Sequence, residues 1–85
     1  MIVHSPFITR VIDDDAEVKR LAKRLGAWRK IRISIKDGES GVAIAGDWLI
    51  GYYDDGFIAY QIPDPLARAA ALGDMMKPLR RNGAA

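Results

Sequence analysis

The chain has 85 residues, 13 Lys and Arg against 11 Asp and Glu, no cysteine and a 49% apolar share. That length fits one domain, the apolar share argues against disorder, and the lack of cysteine excludes disulfides, thiolate chemistry and Cys-ligated zinc. The net charge of +2 conceals a strong separation, because eight of the cations lie between positions 19 and 36 with no acid among them. They are Lys19, Arg20, Lys23, Arg24, Arg29, Lys30, Arg32 and Lys36, with Trp28 inside the run. The remaining five cations face eleven acids, a net of −6 for the rest of the chain. A one-signed field this dense attracts polyanions, either nucleic acid or an acidic protein face.

In chain order, Met1 to Pro6 lacks the basic and then apolar blocks of a signal peptide. No apolar run approaches the ~18 residues of a membrane span. A soluble, cytoplasmic protein is expected. Residues 6–12 are rich in β-formers and read as a short strand or an extended lead-in. Asp14 with Glu17 resembles a capping box, and Val18, Leu21, Ala22 and Leu25 then follow the spacing of one helical face. Gly26 sits where a C-terminal cap belongs. A first helix over about 14–25 follows, with Lys19, Arg20, Lys23 and Arg24 opposite its apolar stripe.

Three turn signals come next: Asp37-Gly38, Gly46-Asp47 and Asp55-Gly56. Each suits a two-residue hairpin, which predicts strands over 29–36, 39–45, 48–54 and 57–62. Pro63-Asp64-Pro65 ends the sheet and starts a second helix, with Asp64 as its cap and Pro65 in its first turn. That helix covers about 66–76, Pro78 ends it, and residues 80–85 form a flexible tail. The expected fold is α+β: a two-layer sandwich of a four-stranded antiparallel meander with an N-terminal and a C-terminal helix, in the order α-β-β-β-β-α, with a possible extra N-terminal strand.

The turns fix the register, and the register fixes the faces. One face collects Ile31, Ile33, Ile35, Val42, Ile44, Leu49, Tyr53, Ile58, Tyr60 and Ile62, a core. The other collects Lys30, Arg32, Ser34 and Lys36, then the small residues Gly41, Ala43 and Ala45, then Trp48, Ile50 and Tyr52, then Phe57, Ala59 and Gln61. This second face is a trough that either stays open or is covered by the C-terminal helix or a dimer partner.

The catalytic inventory is poor. His4 is the sole histidine, and Ser5, Ser34 and Ser40 have no evident base. Asp13, Asp14 and Asp15 read as helix capping, and Asp54-Asp55-Gly56 as a turn lacking the ligand spacing of a calcium loop. Gly38 and Gly41 read as part of a hairpin with no phosphate-cradling helix after it. No catalytic, cofactor or metal residue is assigned.

The candidate partner-binding residues are Lys19, Arg20, Lys23, Arg24, Trp28, Arg29, Lys30, Arg32, Lys36, Trp48 and Tyr52. Rings beside a cationic rail suit single-stranded nucleic acid, and Trp, Tyr and Arg equally suit a protein hot spot. The expected function is a small non-enzymatic binding protein that engages nucleic acid or a protein of a nucleic-acid-processing complex. Its size and style fit a phage-type inhibitor acting by steric occlusion. The alternatives are a homo-oligomer, such as a homodimer, using the apolar outer sheet face as its interface, and a small enzyme.

Overall fold

In a computed structural model, which describes residues 6–53 and 56–84 (the side chains of 77–84 excepted), the elements run β1 (Arg10–Ile12), α1 (Asp15–Arg24), α2 (Trp28–Lys36), β2 (Gly41–Ala45), β3 (Trp48–Tyr53), β4 (Gly56–Gln61) and α3 (Pro65–Ala84). His4, Ser5, Asp54 and Asp55 lie outside the described residues. The four strands form one antiparallel sheet in the order β1-β4-β3-β2. The α+β class, the four-stranded antiparallel sheet and the helices toward both ends are as expected.

The main correction concerns residues 29–36, expected as the first meander strand and observed as α2. Both periods are written into this stretch. Ile31, Ile33 and Ile35 alternate as a strand would, while Trp28, Ile31 and Ile35 fall on one helical stripe. Burial separates the two: Ile31 is 1% exposed and Ile33 is 47% exposed. A strand would also have placed Lys30, Arg32 and Lys36 on the face occupied by Trp48, Ile50 and Phe57. Those apolar residues need cover, and burying unpaired cations beneath it is costly. The helix covers the apolar face and leaves every cation in water. β1 supplies the fourth strand instead, through the pairs Arg10↔Gln61, Val11↔Tyr60 and Ile12↔Ala59.

Asp37-Gly38 is therefore a helix end and not a hairpin. Gly38 has φ 81° and donates its N–H to the Ile35 carbonyl at 3.0 Å, while the Glu39 N–H reaches the Ser34 carbonyl at 3.0 Å. This pair of bonds is a Schellman cap. The end of α1 repeats it. Gly26, at φ 76°, donates to Lys23 and Ala27 donates to Ala22. A glycine in left-handed geometry serves a hairpin and a helix cap equally well, so the dipeptide alone could not decide between them.

The other two hairpins keep their faces. Ala45 pairs with Trp48 across Gly46-Asp47, as expected, and Gly46 has φ 61°. Between β3 and β4, Tyr53 pairs with Gly56, two residues away from the expected register. A shift of two preserves which side chains share a face.

The helices occupy both faces, which adds a third layer to the expected two. α1 and α2 cover the expected trough, where Val18, Leu21, Ala22, Ala27 and Ile31 pack with Ala43, Ile50 and Ala59. α3 covers the opposite face, where Ala71 and Met75 pack with Val42, Leu49, Tyr53, Tyr60 and Ile62. The first strand's expected share of that second core is withdrawn, because Ile31 and Ile35 pack on the other side and Ile33 faces solvent. The small residues do allow close approach, but to α2. A Cβ at Gly41 would lie 2.5 Å from Ile35 Cγ1 and 2.6 Å from the Ile31 carbonyl oxygen.

Acidic side chains anchor the starts of α1 and α3. The Asp14 carboxylate accepts from the Glu17 N–H at 3.0 Å, and Asp64 accepts from the Ala67 N–H at 2.8 Å. Asp15 accepts from the Phe57 N–H at 3.2 Å, beyond the last β1–β4 pair, so its carboxylate takes over where the partner strand stops. α3 continues past Pro78, where a stop was expected. One proline removes a single i→i−4 donor, and here the helix is propagated on both sides of it.

Candidate polyanion-binding face

The change of residues 29–36 from strand to helix rearranges the charge. As a strand, 29–36 would have pointed its cations away from those of α1. As α2, it lies beside α1 on the same sheet face, so both helices present their outer sides on one layer. Lys19, Arg20, Lys23, Arg24, Arg29, Lys30, Arg32 and Lys36 are all exposed. Among the described residues none of these eight makes an ion pair, and the one salt bridge found there joins Arg68 to Asp47 at 3.8 Å.

Within the layer the predicted residues fall into three groups. On one flank of α1, Lys19 Nζ stands 5.0 Å from the centroid of the Phe57 ring and Lys23 Nζ stands 5.9 Å from that of Trp28. Phe57 in turn meets Trp28 at 5.8 Å and Tyr52 at 5.1 Å, the latter edge-on. Trp28, Tyr52 and Phe57 are half-buried and satisfy one another, so they are no open stacking platform. Their service is to hold two ammonium groups at the surface by cation–π attraction.

The second group lies on the outer side of α2: Arg29, Lys30, Arg32 and Lys36, with exposed Ile33 among them. The start of this helix runs against ordinary helix stability. Its first turn contains no acid and carries Arg29 and Lys30, and its N-cap, Ala27, makes no side-chain cap bond. Cations at a helix N-terminus oppose the macrodipole, by about 0.3–1 kcal/mol each.

The third group is a cleft on the other flank of α1. Arg20 and Arg24, one helical turn apart, join Trp48, Ile12, Leu21, Glu17 and Arg10 around about 260 Å³. Arg10 is the functional candidate that sequence reasoning missed. The strand-like reading of 6–12 was the available signal, but nothing in it indicated which strand β1 would join. The observed register sets Arg10 opposite Gln61, which pairs with Trp48, and this brings Arg10 into the row that ends at the cleft.

A second cleft of about 260 Å³ is lined by Asp13, Asp15, Tyr53, Gly56, Phe57, Ile58 and Tyr60. Its charge is of the opposite sign, so an anion is directed to the first. Among the described residues no three acids or histidines converge on a possible metal position, and no described helix is long and apolar enough to cross a membrane.

No protein-family model matches the chain, and no significant match to a curated protein or to a solved structure is found.

Proposed function

We propose that this is a non-enzymatic binding protein that docks the outer surface of α1 and α2 on the phosphate backbone of nucleic acid. The observation that carries the reading is the gathering of eight exposed cations on one helical layer, none of them in an ion pair among the described residues. The cations at the start of α2 add support. A chain that accepts a stability cost at a particular place commonly does so for function, and an incoming phosphate would relieve this one.

Backbone contact is favoured over base stacking on the outer surface, because Trp28, Tyr52 and Phe57 are half-buried against one another. Binding is therefore driven by counterion release and is tolerant of sequence. The acidic-protein reading and the steric-occlusion role share the same surface. The homo-oligomer reading loses the interface assigned to it, since the outer sheet face is covered by the chain's own α1 and α2.

Fluorescence anisotropy on a labelled duplex, across a salt series, tests the proposal. With about four phosphates neutralised, log K falls with log salt at a slope near −3 to −4. Replacing Arg29, Arg32 and Lys36 together with Gln makes the slope markedly shallower. A flat salt response, or no binding at low salt, overturns the nucleic-acid reading.

A further inference from the structure

We infer that the cleft between α1 and the sheet is a subsite for a single nucleoside phosphate. It is lined by three arginines, one carboxylate and one aromatic ring. Its cations are all arginine, whereas the rest of the basic run mixes in lysine at 19, 23, 30 and 36. Arginine presents planar donor forks that match phosphate oxygens two at a time, and lysine acts as a point charge. Arg20 and Arg24 come from one helical flank and Arg10 from the edge strand, so the donors approach from two elements. None of the three has an ion pair among the described residues, although Glu17 shares the lining. The net of the lining is +2, which suits a phosphate monoester dianion.

The remaining lining selects what the phosphate is attached to. Trp48 and Leu21 give an apolar wall for a flat ring, and the Glu17 carboxylate can accept only, so it calls for a hydroxyl or amino donor on the ligand. A base and ribose supply all of these. The volume, about 260 Å³, lies just below the range of ~300–1,000 Å³ typical of small-molecule pockets, which suits one nucleotide unit and no more. The ligand is either a free nucleotide or the phosphorylated end of a strand. This inference deepens the proposed function by naming the unit that the cationic layer grips, and it can fail separately.

The test uses Trp28→Phe, which leaves Trp48 as the only tryptophan and changes a residue outside the cleft. Adenosine 5′-monophosphate should change Trp48 emission saturably, and adenosine should not. Arg10→Gln should weaken the monophosphate about tenfold, the loss of one charge-assisted pair. It should leave a duplex without terminal phosphates within about twofold, since Arg10 lies outside the α1–α2 outer surface and a screened charge there counts little. Calorimetric titration of the unsubstituted chain reads the same affinity with no variant. A 5′-phosphorylated oligonucleotide that binds tighter than its unphosphorylated twin indicates a strand end, and equal binding of the two indicates a free nucleotide. No saturable binding of the monophosphate up to ~10 mM, or equal binding by Arg10→Gln, overturns the subsite even if duplex binding persists. Monophosphate binding without any duplex binding would instead retain the subsite and remove the backbone-docking function.

Discussion

Substituting Gly41 with Ala probes the contact that places the two cationic helices on one layer. The added Cβ would fall 2.5 Å from Ile35 Cγ1, 3.0 Å from Ile35 Cδ1 and 2.6 Å from the Ile31 carbonyl oxygen. The first two belong to a side chain that can move a little. The third is helical backbone and yields only if α2 lifts from β2. Overpacking of this kind costs about 1–3 kcal/mol. For a domain of this size, at ~4–8 °C per kcal/mol, the melting temperature should fall by roughly 5–20 °C. Thermal denaturation followed by far-UV circular dichroism measures it. Ile35→Ala removes the two side-chain atoms in the way, so Gly41→Ala with Ile35→Ala should lose less than the sum of the single losses, by about 0.5–3 kcal/mol. Gly73→Ala is the control: it lies in α3 with nothing within 4 Å of the added Cβ and should gain up to about 1 kcal/mol. If 29–36 were a strand hairpinned to β2, no helix would lie over Gly41 and alanine would be accommodated. A Gly41→Ala protein as stable as the original would therefore refute the packing of α2 described above.

Other substitutions test the caps and the α3 anchor, each by the same denaturation assay. Gly38→Ala meets no atom within 4 Å but must hold φ 81°, so it should cost about 1–2 kcal/mol, and Gly38→Asn should cost less. Asp14→Ala removes the acceptor of the Glu17 N–H and should cost about 1 kcal/mol. Arg68 donates through Nη1 to the carbonyls of Ile62 at 2.8 Å and Pro63 at 3.2 Å. Arg68→Met should lose about 1–3 kcal/mol by leaving these carbonyls without that donor. Asp47→Ala should change little, since its pairing with Arg68 is long, at 3.8 Å, and its side chain is 56% exposed.

The parts of the fold legible in the sequence were those with two independent signals. α1 had a cap, an apolar stripe and a terminal glycine, and it starts one residue from the predicted position. The face assignments in β2, β3 and β4 followed from turn chemistry agreeing with alternation, and they survived a register shift of two. α2 was misread because both of its signals were ambiguous. Its isoleucines satisfy period 2 and, with Trp28, a helical stripe, and Gly38 suits a hairpin and a Schellman cap alike. The deciding fact was tertiary: the Trp48–Ile50–Phe57 face needed cover that a cation-bearing strand could not give.

The candidate site was half legible for the same reason. The charge run could be read directly, but whether its two blocks faced together depended on α2. Trp48 and Tyr52 were placed correctly on one sheet face, and cover by the C-terminal helix was one expectation for it, but α1 and α2 pack there instead. Arg10 stood alone in the sequence, and only the β1–β4 pairing brought it near Arg20 and Arg24.

The most direct measurement is a backbone amide chemical-shift map of the labelled protein titrated with a short duplex at low salt. Shifts should concentrate in residues 19–36, and should spare the solvent side of α3 around Leu66 and Ala70. Changes centred on α3, or none anywhere at saturating duplex, would contradict a docking role for the cationic helices.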